Sequence, residues 1–162
     1  MDKRAIIIAG VAGSGKSSLA QALAQKIAWR FIEGDDYHTA RTKQKMASGK
    51  PLNDNDRAPW LSKLNQTMQK QAPVVLACSA LKQRYREKLA QSLEVQFVWL
   101  DIERDLAYQR VTTRTNHYMP GSLVDSQFAT AEPPLTGMIL DASKPLQELA
   151  EVALGKLGDF IH

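Results

Sequence analysis

Residues 10–17 read GVAGSGKS and match the spacing GxxxxGK[ST], with a third glycine, Gly13, inside the pattern. An apolar run precedes this stretch and a segment with helical spacing follows it, which is the context in which the pattern is meaningful. Glycines let the main chain turn tightly and aim several N–H groups into one concavity, beside the positive end of the following helix. The stretch therefore predicts a loop that binds the phosphates of a nucleoside triphosphate; the competing interpretation is a plain glycine-rich turn.

The residues of this phosphate loop have separate expected roles. The ammonium of Lys16 is expected to reach the β and γ phosphates during catalysis, and the hydroxyl of Ser17 to take a Mg²⁺ position. ATP and Mg²⁺ are therefore the expected cofactors. The residues assigned to nucleotide binding here are Gly10, Val11, Ala12, Gly13, Ser14, Gly15, Lys16, Ser17 and Ser18.

Two adjacent carboxylates, Asp35 and Asp36, follow a second apolar run in the stretch GDDYH. At the carboxyl edge of a parallel sheet they would face the phosphate loop, where a carboxylate can orient a substrate hydroxyl and accept its proton. Adjacent residues point to opposite sides, so one of the two is expected to take part in chemistry. The alternative is that both only cap the next helix.

The elements that position these groups follow from the apolar pattern. Strand-length apolar runs occur at residues 5–9, 73–78, 95–100 and 138–140, with a weaker one at 29–32. Runs that are apolar on both faces, alternating with helical segments, predict a five-stranded parallel sheet with helices on both faces. Helices are expected from Lys16, from about Asp56 with Pro59 in the first turn, after Ser79 as a cap, and with Pro145 in the first turn.

Length and composition fit one domain over residues 1–162, with inserts at about residues 33–57 and 115–134 that lack periodicity. The single cysteine, Cys78, excludes an internal disulfide and a zinc cluster, so we expect a cytosolic protein with a buried thiol. The apolar run after MDKR is too short for a secretory signal and no stretch is long enough to cross a membrane. The net charge of +4 suits an anionic substrate as well as nucleic acid.

Four separated motifs carry a resemblance over essentially the whole chain: GDDYH, KMASGKPLNDNDRAPWL, CSALKQRYR and HYMPGSLVDSQFATAEP. In this order and spacing they resemble the P-loop gluconate kinases, relatives of shikimate and nucleoside monophosphate kinases. The resemblance implies a three-layer P-loop fold with a lid insert. It also implies ATP-dependent phosphorylation of D-gluconate at its 6-hydroxyl, giving 6-phosphogluconate and ADP.

The family's G-D-x-x-H motif falls on Gly34, Asp35 and His38, which favours Asp35 over Asp36 as the residue that holds the 6-hydroxyl. His38 is implied as a substrate contact. The family usually has Pro after this histidine and Asn three residues later, where this chain has Thr39 and Thr42. The two departures put the shape of the substrate cap in doubt, and leave the reaction type unchanged.

Gluconate has a carboxylate and a row of hydroxyls, so its pocket should contain cationic donors. Arg57 matches the family's DRxPW motif and is expected to bind substrate; its alternative is a surface ion pair with Asp54 or Asp56. Lys82 and Arg86, four residues apart, are expected to share a helix face toward the substrate. Their alternative is a solvated basic face.

The remaining candidates lie near the second insert and rest on the resemblance. Arg110 is implied as the arginine that stacks on adenine, and Arg114 as a catalytic arginine that reaches the phosphates when a lid closes. A charged helix surface is the alternative for both. His117 and Gln127 are implied as further substrate contacts. A homodimer is also compatible with the resemblance.

Three other functions compete with a gluconate kinase. One is another P-loop kinase for a shikimate-like or nucleotide acceptor. A basic P-loop ATPase that binds nucleic acid is the second, and the chain lacks the basic groove interleaved with aromatics that this class needs. The third is a nucleotide-binding regulator without chemistry, which Asp35 beside a complete phosphate loop argues against.

Overall fold

The computed structural model describes residues 1–113 and 121–162, and these form one five-stranded parallel sheet with helices packed on it. The strands are β1 (Arg4–Ala9), β2 (Arg30–Glu33), β3 (Val74–Ala77), β4 (Glu94–Asp101) and β5 (Met138–Asp141). The helices are α1 (Lys16–Ile27), α2 (Ala40–Ala47), α3 (Asp54–Gln71), α4 (Gln83–Leu89), α5 (Arg104–Thr113), α6 (Gly121–Thr130) and α7 (Leu146–Ile161). A short 3-10 helix, Gly34–Tyr37, follows β2.

The strand order is β2-β3-β1-β4-β5, and every neighbouring pair is parallel. Every residue of β3, and β1 from its second residue on, is buried, because helices cover both faces of the central strands. The helix α1 packs against α7, and α3 packs against α4. These layers are those of the three-layer P-loop fold, and all five predicted strands are confirmed.

Because the strands are parallel, their carboxyl ends meet at one edge of the sheet. The main-chain N–H of Gly10, after β1, donates to the carbonyl oxygen of Ser79, after β3, at 3.3 Å. Gly34, after β2, lies so close to β3 that a Cβ there would be 2.5 Å from the carbonyl oxygen of Ala77. This packing leaves room only for glycine and brings the GDDYH stretch up to the phosphate loop.

Two predicted helix starts differ from the observed ones by two residues or more, and a third differs by one, because Pro145 is the N-cap of α7 and does not lie in its first turn. The helix α4 begins at Gln83 rather than after Ser79, because Ala80 has a left-handed φ of 41° that no helix accommodates. The helix α3 begins at Asp54, two residues before the predicted start, so Pro59 lies in its second turn. Asn53 and Asp56 form a reciprocal capping box there, which determines where this helix begins.

Both segments that the sequence marks as inserts without periodicity contain helix. The first carries the 3-10 helix and α2, and the second carries α6, whose Leu123 and Val124 are buried. These helices are short, so a few buried side chains suffice and no long apolar period appears in the sequence. In the described residues, no helix has both the length and the apolar character needed to cross a membrane.

Candidate active site

The phosphate loop turns from β1 into α1 with Gly15 as the residue before the helix. Gly15 has a φ of 91°, a left-handed conformation that glycine adopts without steric cost. The first amides of α1 have no carbonyl one turn earlier to bind, so they remain available to an anion. Nζ of Lys16 lies 3.3 Å from the carbonyl oxygen of Val11, within the loop itself. The loop therefore has the donors that a polyphosphate requires.

A hydrogen bond joins the loop to the end of β2. The hydroxyl of Ser17 donates to a carboxylate oxygen of Glu33 at 2.5 Å. Burial raises the pKa of Glu33, while the hydrogen bond from Ser17 and the charge of Lys16 oppose that shift. Sequence reasoning missed Glu33, although its place as the last residue of β2, one position before GDDYH, was a usable signal.

Asp35 and Asp36 both lie exposed in the 3-10 helix after β2. Neither caps the next helix, because the N-cap of α2 is Thr39, whose side chain accepts the main-chain N–H of Thr42 in the first turn. The charge of Asp35 acts to raise the pKa of both Glu33 and His38, so this carboxylate lies near both groups. The alternative that the two carboxylates cap the next helix is not formed, and a chemical role for Asp35 stays a prediction.

His38 is buried and tied to α3 by Trp60. The two rings stack with centroids 4.1 Å apart, and the indole N–H of Trp60 donates to the carbonyl oxygen of Gly34 at 2.7 Å. Burial lowers the pKa of His38 to about 4, so its imidazole is neutral near pH 7. Nδ1 of His38 is buried with no partner among the described residues, which is consistent with a group that contacts a ligand.

Arg57 and Lys82 meet around the ring of Tyr85. The buried guanidinium of Arg57 donates to the hydroxyl oxygen of Tyr85 at 3.2 Å and to the carbonyl oxygen of Leu52 at 2.9 Å. The hydroxyl of Tyr85 donates to Asp54, which also accepts from Nζ of Lys82 at 3.2 Å. The structure thus brings Arg57 and Lys82 together through a tyrosine that sequence reasoning did not identify, and their binding of substrate stays a prediction.

The ion pair proposed as the alternative role of Arg57 is not formed. Asp54 binds Lys82 and Arg84, and Asp56 binds Lys45 at 2.6 Å and closes the capping box of α3. The guanidinium of Arg57 is instead held by a carbonyl and a phenol, both neutral. Within residues 1–113 and 121–162 the charge of Arg57 has no carboxylate partner, which suits it to an anionic ligand.

Comparison with known proteins places the chain in a family. It matches a protein-family profile described as an AAA domain over residues 6–134. It is 41% identical over 149 residues to a probable gluconokinase of Xenopus tropicalis, covering 80% of this chain and 78% of that protein. It is also 41% identical over 136 residues to a gluconokinase of Gluconobacter oxydans, covering 81% and 76% respectively. The chain belongs to the gluconokinase family.

A solved gluconokinase shares the architecture in detail. The crystal structure of a gluconokinase from Sinorhizobium meliloti 1021 superimposes with a TM-score of 0.89 at 38% sequence identity, covering 98% of this chain and 94% of that one. The resemblance inferred from four motifs is thus confirmed, together with the P-loop kinase fold that it implied.

The two departures from the gluconokinase pattern, Thr39 and Thr42, are partners. Oγ1 of Thr39 accepts the main-chain N–H of Thr42 at 3.2 Å and donates to Oγ1 of Thr42 at 2.9 Å. The pair therefore caps the first turn of α2. In this chain the two threonines begin the helix, and His38, one residue before Thr39, stacks on Trp60.

Arg86 does not share a site with Lys82, contrary to the expectation for gluconokinase substrate binding. Its guanidinium is buried and donates to the carbonyl oxygens of Ala80 at 2.8 Å and Glu132 at 2.6 Å. It also lies over the ring of Trp99, 5.4 Å from the ring centroid. Because α4 begins after Lys82, the two cations do not occupy one helix face, and Arg86 instead ties α4 to the chain before β5.

A cavity of about 680 Å³ lies beside Arg86. It lies between α4, β4 and residues 132–138, with apolar walls that include Phe97, Trp99 and Met138. No residue of the phosphate loop and no residue of GDDYH lines it. The cavity is therefore separate from the phosphate loop and from GDDYH, although residues of the other motifs, among them Gln83, Arg86 and Glu132, line it.

Arg110 and Gln127 contact the phosphate loop from the helices α5 and α6. The guanidinium of Arg110 donates to the carbonyl oxygens of Gly13 at 3.2 Å and Ala142 at 3.0 Å. Gln127 accepts the main-chain N–H of Ala12 at 2.7 Å through Oε1. Gln127 was expected at the substrate and lies at the loop instead. Arg114 and His117 are outside the described residues, so their roles stay predictions.

Proposed function

We propose that the protein transfers the γ-phosphoryl group of ATP to the 6-hydroxyl of D-gluconate, forming 6-phosphogluconate and ADP. One observation carries the proposal: the hydrogen bond from Ser17 to Glu33 joins the phosphate loop directly to the segment that presents Asp35. A phosphate-binding loop and a carboxylate that can orient an alcohol are thus neighbours. Phosphoryl transfer requires this arrangement of donor and acceptor.

In the proposed reaction the 6-oxygen of gluconate attacks the γ-phosphorus as the bond from that phosphorus to the β,γ-bridging oxygen breaks. The proton of the 6-hydroxyl passes to the carboxylate of Asp35, and the electron pair of the broken bond stays on ADP. Lys16 and the amides at the start of α1 stabilise the charge that spreads over the phosphate oxygens. Arg57 and Lys82 bind the carboxylate and hydroxyls at the other end of the acid.

The side chains at the loop fit a magnesium ion that is held mainly by the nucleotide. No cluster of three or more His, Cys, Asp or Glu side chains exists in the described residues, so the protein offers no complete cage. It offers the hydroxyl of Ser17 with the carboxylate of Glu33 beside it. When bound, Mg²⁺ neutralises charge on the phosphates. Ser17 would hold it directly and Glu33 through water.

An acceptor panel tests the proposal. ADP formation is measured with D-gluconate, shikimate, AMP and no acceptor, with the wild-type protein and Asp35→Asn side by side. We expect ADP release that depends on D-gluconate and is lost in the variant. Turnover with shikimate or AMP, and none with gluconate, would assign the protein to the alternative, a P-loop kinase for another acceptor. ADP release without any acceptor would indicate an ATPase.

Two further expectations are not tested by the fold and stay predictions. A homodimer is supported by the family resemblance alone and would be measured as molar mass by light scattering. A cytosolic location is supported by the presence of a single cysteine, Cys78, which is buried. The raised pKa of its thiol, about 12, agrees with an inert core residue.

A further inference from the structure

The peptide between Val11 and Ala12 is held at both ends by side chains that come from different parts of the chain. Its carbonyl oxygen, on Val11, accepts Nζ of Lys16 at 3.3 Å and the main-chain N–H of Ser14 at 3.2 Å. Its N–H, on Ala12, donates to Oε1 of Gln127 at 2.7 Å, across 115 residues of sequence. Lys16 and Gln127 therefore bind the same peptide group.

The geometry of a peptide couples these two contacts. The C=O and N–H of a trans peptide lie in one plane and point in opposite directions. An acceptor that binds the N–H of Ala12 therefore also determines where the carbonyl of Val11 points. Through that carbonyl, Gln127 determines where the ammonium of Lys16 rests before the nucleotide binds.

The main-chain side of this contact is buried, while Gln127 is half-buried. Val11 and Ala12 are 4% and 7% exposed. A buried N–H without an acceptor costs roughly 1–3 kcal/mol, and rotation of the peptide toward another acceptor would relieve that cost. Such a rotation would turn the carbonyl away from Lys16 and change the row of amides that faces the phosphates.

The helix that carries Gln127 is held firmly enough to act as a support. The helix α6 buries Leu123 and Val124 and packs against α5. An ion pair from Arg104 on α5 to Asp125 on α6, with Nε 3.0 Å from the carboxylate, joins the two helices. Arg110, also on α5, donates to the carbonyl oxygen of Gly13, the residue after Ala12.

We propose that Gln127 is a positioning residue for the phosphate loop, which it holds in the conformation that binds ATP and presents Lys16 to it. This inference deepens the proposed function and rests on it only in taking ATP as the nucleotide. It assigns Gln127 to the nucleotide half of the site and not to the acid substrate.

Nucleotide affinity is the first test, because it needs no acceptor. Gln127→Met keeps the length of the side chain and removes the acceptor; Gln66→Met makes the same change on the exposed side of α3. We expect the dissociation constant of ATP, measured by calorimetry without gluconate, to rise about tenfold in Gln127→Met and to be unchanged in Gln66→Met. An affinity for ATP that matches the wild type, whatever the melting temperature, would overturn the proposal.

Steady-state kinetics separates a loop role from a substrate role. With Gln127→Met, the KM for ATP is expected to rise while the KM for gluconate stays within about twofold of the wild type. A raised KM for gluconate with an unchanged KM for ATP would indicate that Gln127 contacts the acid substrate, and it would refute the inference. If no acceptor is turned over at all, the gluconate kinase proposal fails, and the binding measurement still tests Gln127.

Coupling to Lys16 is the third measurement. If Gln127 acts through the carbonyl that holds Lys16, Gln127→Met should weaken ATP binding less in a Lys16→Ala background than in the wild type. Fully additive effects would contradict this route. Should Gln127→Met fail to fold, Gln127→Ala removes the acceptor with a shorter side chain. Its affinity for ATP should fall as well, and an affinity that matches the wild type would overturn the proposal.

Discussion

The indole nitrogen of Trp60 lies 2.7 Å from the carbonyl oxygen of Gly34 and donates a hydrogen bond to it. The same indole ring stacks on His38. One side chain of α3 therefore holds both ends of the GDDYH segment, with Asp35 between them. The DRAPW and GDDYH motifs, whose residues Trp60 and Gly34 are 26 positions apart in the sequence, form a single structural unit.

Replacing Trp60 by phenylalanine tests this unit. Trp60→Phe keeps a ring over His38 and removes the donor, which leaves the buried carbonyl of Gly34 without its partner. We expect the free energy of unfolding to fall by about 1–3 kcal/mol and the KM for gluconate to rise more than the KM for ATP. Urea unfolding and steady-state kinetics measure the two effects. Trp29→Phe is the control, and an equal effect on gluconate there would count against the unit.

Asp35 and Asp36 are adjacent carboxylates that are expected to contribute differently to kcat. Asp35→Asn removes the group that accepts the proton of the alcohol, so kcat should fall about 10²–10⁴-fold while ATP affinity is nearly unchanged. Asp36→Asn should leave kcat within about threefold of the wild type. The assignment is wrong if Asp36→Asn has the larger effect.

Glu33→Gln tests the link between the loop and β2. The amide keeps an oxygen that can accept the hydroxyl of Ser17, and it removes the negative charge near the metal position. We expect the Mg²⁺ concentration for half-maximal activity to rise about fivefold, with the KM for gluconate unchanged. Glu148→Gln, on the exposed start of α7, is the matched control. An unaltered Mg²⁺ requirement in Glu33→Gln would remove Glu33 from this role.

The buried His38 makes stability depend on pH. Its pKa is about 4 in the folded protein, lowered mainly by burial, with Arg57 and Lys43 acting in the same direction and Asp35 opposing them. The unfolded chain binds this proton at about pH 6.5. The contribution of the neutral His38 to the free energy of unfolding is therefore fully present above that pH. It should fall by up to about 3 kcal/mol as the pH drops from 6.5 to 4.

Urea unfolding across this pH range, with His38→Asn beside the wild type, measures that contribution. In the variant, the free energy of unfolding should depend much less on pH between pH 6.5 and pH 4, since asparagine does not titrate. His162→Asn changes an exposed histidine at the end of α7 and serves as the control. A slope that persists in His38→Asn would mean that other groups cause it.

Arg57 and Arg86 allow a direct comparison of two buried arginines. Arg57→Lys replaces the planar guanidinium at the proposed site for the gluconate carboxylate with a single ammonium. The KM for gluconate should therefore rise about tenfold. Arg86→Lys should lower the melting temperature, because the carbonyls of Ala80 and Glu132 lose their donor. It should leave the KM for gluconate unchanged. A raised gluconate KM in Arg86→Lys would restore Arg86 to the substrate site.

Features encoded by neighbouring residues could be predicted from the sequence. The strands follow from apolar runs, and the phosphate loop follows from glycine spacing between β1 and α1, because both depend on local conformation. The start of α4 could not be predicted in this way. The left-handed conformation of Ala80 prevents a helix from starting after Ser79, so α4 begins only at Gln83. Lys82 and Arg86 therefore lie in different surroundings.

The sequence alone determined the class of protein and the location of the loop, and it predicts Asp35 over Asp36, since these are carried by contiguous motifs. The tertiary structure decided which distant side chains complete the site. Glu33 reaches Ser17, Tyr85 reaches Arg57 and Gln127 reaches Ala12 only after the sheet and helices pack. No local propensity records such contacts, because each joins groups from different elements and forms through packing of the whole chain.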